Sequence, residues 1–391
     1  MNKIVTGIDV GTNQVRVVIA EHMSDPRQLP RVLGTGYAES RGVKNGYVVS
    51  VEEASRSIAV AVAQASKAAN VKVKKAYLGV GGIGVDEAFA RGETVVERGD
   101  SVVSDRDIPR AIAASEKALP PAATQNRKII HTVPLRYTVD GVRVMGKNPV
   151  GMKGARVAVE TFFITCLERH ITDLASAVEE AGIEVEDVVA APVAASFVAL
   201  SKMQKRVGCV LADIGAESLS IILFEDTLPI SIKTFPLGAA DIAHDIALNL
   251  RIPPEDAEQL MRGAVLGTTY PKKKIDDSIT RRLTEFFKLI DQHLKKIGKN
   301  DLLPSGIILS GGGAAIGAAA DIAKTVLRLP SRVATIGDGT TKSHITDNAW
   351  AVAYGLTVWG ATAGGDIEHH DSDQLHDVAA QVWRWFKKFL P

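Results

Sequence analysis

The chain has 391 residues, enough for two domains or several subdomains at roughly 100–200 residues per domain. Its 46 Lys and Arg balance 45 Asp and Glu for a formal net charge of +1, which excludes a strongly basic nucleic-acid binder and an acidic disordered chain. Aromatic residues are scarce at 5 %, yet two of the four Trp, Trp383 and Trp385, fall in the last stretch, Val382–Pro391, where a fraying end would not normally place them.

Ile4–Val10, an apolar run ending at Gly11, and the β-rich run Val15–Ala20 predict a strand–turn–strand hairpin. The start reaches Asp9 and Gly11 at once, leaving no apolar signal-peptide core. No segment approaches the ~18 consecutive apolar residues of a membrane span, so the chain reads as cytosolic and any membrane contact as peripheral. Val51–Asn70 has helical periodicity and Ala76–Val80 reads as a strand. Over 82–159 the character changes: short β-like segments at Glu93–Glu97, Lys128–Val133 and Val142–Val144 surround one helix near Asp107–Ala118, the pattern of a small inserted α+β unit. Val159–Thr165, helix Ile171–Ala181, strand Val185–Ala191 and helix Val193–Met203 return to an α/β rhythm.

Val207–Ile214 and Leu219–Phe224 repeat the opening hairpin about 200 residues later, with Asp213-Ile214-Gly215 mirroring Asp9-Val10-Gly11; a duplicated fold follows. Helices are expected at Ala239–Leu250, Pro254–Arg262 and Ser278–Lys296, with Lys272-Lys273-Lys274 in a solvated loop before the last. Strand Ser305–Ser310 runs into Gly311-Gly312-Gly313, which opens a helix over Ala314–Thr325. Cys166 and Cys209 match no metal or redox spacing and read as core residues. Gly364–Asp377 is polar, acidic and without periodicity, so it reads as a linker, with metal binding by its His residues the alternative.

At 100° per residue Val382, Trp383, Trp385, Phe386, Phe389 and Leu390 fall in an arc of roughly 160°, while Arg384, Lys387 and Lys388 take the other side. That is a basic amphipathic helix suited to a lipid interface; docking on the protein's own body or on a partner helix is the alternative. Each basic residue adds about 1 kcal/mol near an anionic surface, so three assist without sufficing. Reversible binding strengthened by multivalency in a polymer is expected.

The two Asp-Gly turns can bring backbone N–H groups to phosphate, with the Asp holding hydrated Mg²⁺. Opposed on duplicated halves, they would pinch a nucleotide, and Gly311-Gly312-Gly313 would let a flat base or ribose approach the backbone. Three unrelated glycine turns are the plainer alternative.

In these residues the sequence resembles the actin-like nucleotide-binding superfamily and, within it, the FtsA family of bacterial cell-division proteins. The matches are Ile8-Asp9-Val10-Gly11-Thr12, Ser40-Arg41-Gly42-Val43 with Gly46, His131-Thr132-Val133-Pro134, Lys147-Asn148-Pro149-Val150-Gly151-Met152, Pro253-Pro254 with Asp256-Ala257-Glu258, Ile308–Gly313 and the terminal Trp383–Leu390. They span essentially the whole chain. The resemblance implies duplicated actin-like (ribonuclease H-like) α/β lobes: a first lobe of 1–81, 160–204 and 345–363, an inserted subdomain at 82–159, and a second lobe of 205–344 with a peripheral subdomain at about 245–300. A linker at 364–377 and a helix at 378–391 would follow. It implies ATP with Mg²⁺, the metal near Asp9 and Asp213. Gly11, Thr12, Asn13 and Arg16 would face the terminal phosphates, Gly215 and Ser218 would form the second phosphate loop, and Gly238 and Ala239 would touch the phosphate and sugar side. Glu258 would reach the ribose and Gly311, Gly312 and Gly313 would flank adenine. It further implies protofilament self-assembly, membrane contact through the terminal helix, other division partners at the septum on the cytoplasmic side of the membrane, and docking of the FtsZ C-terminal tail. Exposed Arg281 and Arg282 suit such an acidic peptide, although ordinary surface charges would look the same.

Some positions depart from the family pattern. Ala216 and Glu217 stand where relatives carry glycines, and a Glu beside phosphate is repulsive; Met261 replaces a Lys beside the ribose; Ala191 replaces an acid before Pro192. With no base to position water, slow turnover at most is expected and no residue is assigned a catalytic role. A superfamily ATPase or sugar kinase, or a scaffold of the PilM pilus-assembly kind, is the alternative.

Overall fold

The computed structural model describes residues 3–23, 28–97, 99–146, 148–264, 270–336 and 345–363. β1 (Ile4–Val10) pairs antiparallel with β2 (Gln14–Glu21), and β2 with β3 (Arg31–Glu39). A small hairpin of β4 (Val43–Lys44) and β5 (Tyr47–Val48) leads to α1 (Val51–Ala69), capped by Ser50 and stopped by Asn70 in the left-handed conformation. β6 (Lys75–Val80) then lies parallel to β1. The chain leaves this lobe for β7 (Val85–Val95), α2 (Asp107–Lys117), α3 (Pro121–Thr124), β8 (Arg127–Val139), β9 (Val142–Arg143) and β10 (Arg156–Leu167), which build a separate antiparallel sheet in the order β7-β10-β8-β9. It returns through α4 (Glu168–Glu180) and β11 (Glu184–Ala190), completing a sheet ordered β11-β6-β1-β2-β3.

After α5 (Ala191–Ala199) and α6 (Lys202–Val207) the plan repeats. β12 (Cys209–Ile214), β13 (Leu219–Glu225) and β14 (Leu228–Phe235) form the meander, followed by α7 (Ala239–Leu250), α8 (Pro254–Met261), α9 (Lys272–Lys296), β15 (Ile307–Ser310), α10 (Ala319–Leu327) and β16 (Ser331–Val333). The order β14-β13-β12-β15-β16, antiparallel among the first three and parallel among the last three, maps strand for strand onto the first sheet. The duplication predicted from the two Asp-Gly turns is therefore present. α11 (Ala351–Ala363) carries the chain back to the first lobe.

Four local expectations change. Val159–Thr165 belongs to the insert: β10 begins at Arg156 and pairs with β7 and β8 as far as Leu167, so an insert boundary at 159 cuts a strand. The expected helix Val193–Met203 breaks because Leu200 is extended and Ser201 with Gln204 forms a capping box that starts α6. Lys272-Lys273-Lys274 are the first turn of α9 and not a loop; three exposed cations carry no apolar period, so the pattern becomes readable only from Ile275. Gly312–Ala315 is a single 3-10 turn and α10 starts at Ala319, because Gly311 lies at φ +79° and glycines nucleate helix poorly.

One apolar core fills the first lobe and runs through α5 and α11 to one face of the second sheet, at Cys209, Leu211, Ile222 and Ile308. A second core lies on that sheet's other face, under α7 to α10. Both cysteines are buried and free, as expected. α11 is apolar on almost every side and packs backbone to backbone: a Cβ on Gly355 would stand 1.8 Å from the Ala194 carbonyl oxygen of α5, and one on Gly7 2.3 Å from the Ala353 oxygen. Its polar groups are anchored at a distance in sequence, Tyr354 donating to the Pro30 carbonyl and Trp359 Nε1 to Asp187, each at 2.9 Å. Among the described residues no helix is long and apolar enough to cross a membrane. Gly355→Ala is expected to push α11 off α5 and to cost about 1–3 kcal/mol, read as a lower urea midpoint with unchanged slope.

Candidate functional site

The two equivalent hairpins close in the same way. In the first, Val10 pairs with Val15 and Gly11 N–H donates to Gln14 O at 3.2 Å; in the second, Ile214 pairs with Leu219 and Gly215 N–H donates to Ser218 O at 2.8 Å. Thr12 and Asn13 thus correspond to Ala216 and Glu217 at the two tips. Both turns line one cavity of about 810 Å³ between the lobes, within the roughly 300–1,000 Å³ of small-ligand sites. Every residue expected to contact nucleotide or metal lines it except Gly238: Asp9, Gly11, Thr12, Asn13, Arg16, Asp213, Gly215, Ser218, Ala239, Glu258, Gly311, Gly312 and Gly313.

Asp9 is the last residue but one of β1 and Asp213 sits at the matching place in β12, beside Ser310 of β15. Burial pushes the Asp9 carboxyl up to about 6, with the Arg16 guanidinium pulling the other way. Asp213 is pushed up to about 7 by burial and then by the charge of Asp9, again opposed by Arg16. Two carboxylates that repel one another in a recess are a fitting cradle for a divalent cation. No group of three or more His, Cys, Asp or Glu gathers among the described residues, so a cation here would complete its shell with water or ligand oxygens, the habit of Mg²⁺. The glycine run makes room for this: a Cβ on Gly311 would lie 2.1 Å from Asp213 Oδ1, and one on Gly313 2.4 Å from Ile214. Gly312 is the member with open space before it, its nearest neighbour being Ala349 at 4.0 Å.

Gly238 lies outside the cavity lining, and Ala239, which lines it, also braces the second hairpin. Ala239 N–H donates to Gly215 O and Ala240 N–H to Ala216 O, while Gly238 N–H donates to Asp241 Oδ2. The start of α7 is therefore bonded to the second hairpin and holds it in place. Gly238 is pressed so close to Ala216, 2.4 Å from its carbonyl oxygen to a Cβ, that no side chain fits. Glu258 lines the cavity paired with Arg262 at 2.6 Å, and Met261 is buried beside them. Tyr37 and Trp350 belong to none of the sequence motifs, yet both line the cavity, edge to face with centroids 6.5 Å apart, and Arg16 stands 5.9 Å from the Trp350 ring. Trp350 lies beside Arg16 only after α11 folds back, so its position along the chain carries no signal.

Arg281 and Arg282 were expected to be exposed together. Arg282 is 26 % exposed, holds Asp245 with both arms at 2.8 and 2.9 Å, and also reaches Glu285; Arg281 is 66 % exposed and touches Asp245 at 3.2 Å. Those contacts, Arg282 first, hold the Asp245 carboxyl below its usual range. Arg282 is thus a structural strut and Arg281 the more available cation. The linker at 364–377 and the terminal helix with Val382, Trp383, Arg384, Trp385, Phe386, Lys387, Lys388, Phe389 and Leu390 lie outside the described residues.

Compared with known proteins, residues 210–355 match the family model described as "Cell division protein FtsA" and residues 88–165 the one described as "SHS2 domain inserted in FTSA". The chain is 30 % identical over 355 residues to cell division protein FtsA of Bacillus subtilis, covering 85 % of this chain and 79 % of that one. It is 28 % identical over 355 residues to the FtsA of Pseudomonas aeruginosa, with 85 % and 82 % covered. The solved structure of a PilM–PilN type IV pilus biogenesis complex superposes with a TM-score of 0.67 at 17 % identity, covering 92 % of this chain and 99 % of that one; this likeness concerns the fold alone.

Because the folded carboxyls hold protons up to about pH 6–7 whereas an unfolded Asp ionises near 4, the native state binds more protons in that window and loses stability as pH rises through it. Asp213→Asn, which removes the repulsion, should raise the melting temperature by about 2 °C or more at about pH 8 and by much less near pH 5. Added Mg²⁺ with nucleotide is expected to raise the melting temperature of the parent protein and to leave that of Asp213→Asn unchanged. Differential scanning fluorimetry reads both.

Proposed function

The chain belongs to the FtsA family of cell-division proteins, and on that premise we propose that it binds ATP with Mg²⁺ between its lobes, assembles into actin-like protofilaments, and ties FtsZ polymers to the inner face of the cytoplasmic membrane at the septum. The observation that carries the nucleotide role is the cavity between the duplicated hairpins, which Asp9 and Asp213 both line close enough for the charge of Asp9 to act on Asp213, and where Gly312 leaves open space. Asp9 and Asp213 would hold the hydrated cation, the hairpin amides the phosphates, and Glu258 the ribose. The cation supplies charge neutralisation of the phosphates when bound.

Membrane anchoring is supported by the sequence of Val382–Pro391, whose aromatic face suits the lipid interface and whose Arg384, Lys387 and Lys388 suit anionic headgroups. Weak single anchors fit a polymer, because linked sites raise effective affinity. Docking of the FtsZ tail on the α9 side of the second lobe is supported by the exposed guanidinium of Arg281. Contacts with further division proteins follow from the family, and the balanced net charge lends no support to a nucleic-acid partner.

Flotation with anionic vesicles tests the anchoring. The full chain is expected to float, more strongly with ATP, while the chain lacking Val382–Pro391 keeps its melting curve and nucleotide binding but stays with the soluble fraction. A full chain that does not float would overturn the tether and favour a soluble scaffold. For the FtsZ tail, Arg281→Ala should weaken binding of the tail peptide by about threefold or more with little change in stability, since Arg282 still pairs with Asp245. Arg282→Glu should instead lower the melting temperature, because it puts a second carboxylate beside Asp245; fluorescence anisotropy and thermal melts separate the two.

A further inference from the structure

The chain enters the insert through Gly81-Gly82-Ile83-Gly84, between β6 and β7, and leaves it where β10 runs straight into α4. These two crossings are bound together. The Gly84 carbonyl accepts Leu167 N–H at 3.2 Å and Arg127 Nη2 at 2.7 Å, and His170 Nε2 on α4 donates to the Gly81 carbonyl at 3.1 Å. The turn between β4 and β5 rests on them. Its Asn45 and Gly46 are both at positive φ, 50° and 80°, as a two-residue type I′ turn requires. A Cβ on Gly46 would stand 3.0 Å from Gly82 Cα, and one on Gly82 3.1 Å from the Asn45 carbonyl oxygen. Tyr47 follows, its ring against that of His170 with centroids 4.6 Å apart and its hydroxyl 3.2 Å from the place of a Cβ on Gly84. The same turn is bonded to both hairpin tips of the cavity: Gly46 N–H donates to Thr12 Oγ1 at 3.1 Å, and Asn45 N–H donates to Glu217 Oε2 at 2.5 Å. The second of these bonds joins one lobe to the other.

We infer that Glu217 is a positioning residue: through Asn45 and Gly46 it couples the spacing of the two hairpin tips to the seating of the insert, so that a change in the cleft reaches a part of the molecule outside it. Gly46 meets Gly82 backbone to backbone, with no flexible side chain between them to absorb a shift, and close-packed elements pass displacement on. A carboxylate suits the bond across the lobes, because its charge makes the hydrogen bond to the Asn45 amide stronger than the neutral one at Thr12. The coupling needs no ligand, so it stands apart from the nucleotide reading.

Hydrogen exchange of the full chain without ligand, read amide by amide, tests this. Glu217→Ala is expected to speed exchange about tenfold or more at Asn45, and Thr12→Val about threefold or more at Gly46. Each should do so by a similar factor at Val85 and Leu167, whose N–H groups bond within the crossings, while the middle of α9 keeps its protection. Glu217→Gln, which keeps an acceptor for Asn45, should restore most of the loss. Faster exchange confined to Asn45 and Gly46, with Val85 and Leu167 as slow as in the parent, overturns the proposal. In the parent protein itself the four amides should open as one unit, with protection equal within about threefold under mild urea. A turn that opens while the crossings stay closed overturns the proposal even if no variant folds.

Discussion

The close approach of α11 to α5 is the constraint on which the cleft depends. Gly355 lets the α11 backbone rest on the Ala194 carbonyl, and Gly7 lets β1 rest against Ala353. These contacts are made without intervening side chains, so the first lobe, α5 and the facing side of the second sheet share one core. Close packing of that kind has little slack. It holds the ends of β1 and β12 at a separation at which Asp9 and Asp213 affect each other's charge. A looser contact would part the carboxylates and leave two surface hairpins with no joint chemistry.

That arrangement carries a cost that the rest of the fold absorbs. Two buried carboxylates that raise one another's proton affinity oppose folding once ionised, and a cation held between them would relieve that repulsion. The second hairpin is held by hydrogen bonds from the start of α7, and the first by the turn between β4 and β5. Groups that would otherwise be free to bind a ligand, such as the Ala239 amide, are used to keep the tips in place. Rigid tips with matched backbones and unequal side chains then make the cleft asymmetric in charge.

Much of this was readable from residue order. Alternation and turn residues located both hairpins, the repeated Asp-Gly turn predicted two equivalent sheets, and Ser50 and Asn70 bracketed α1 as cap chemistry requires. Where reading failed, the deciding force was not in the local pattern. β10 looked like the start of a lobe because its apolar run is long, but its pairing with β7 and β8 places it in the insert. Lys272–Lys274 are helical because Pro271 and the packing of the following turns carry them, not because they show a period. Arg282 and Arg281 are adjacent in sequence and alike in type, yet only Arg282 is turned onto Asp245 with both arms.

The sequence by itself determined the class of fold, the duplication, the insert and nearly all the residues of the cleft, because these follow from periodicity and from backbone freedom at particular glycines. Only the tertiary structure decided what those residues do to one another. Glu217 reads as a repulsive intrusion in the chain and becomes a bond between lobes in space; Ala239 reads as a ligand contact and, while lining the cavity, also spends its amide on bracing the second hairpin. Trp350 carries no motif and ends beside Arg16 at the rim of the cleft. The reason is physical: local sequence sets dihedrals and burial preference over a few residues, whereas charge coupling and hydrogen bonding depend on distances fixed by contacts up to hundreds of residues apart.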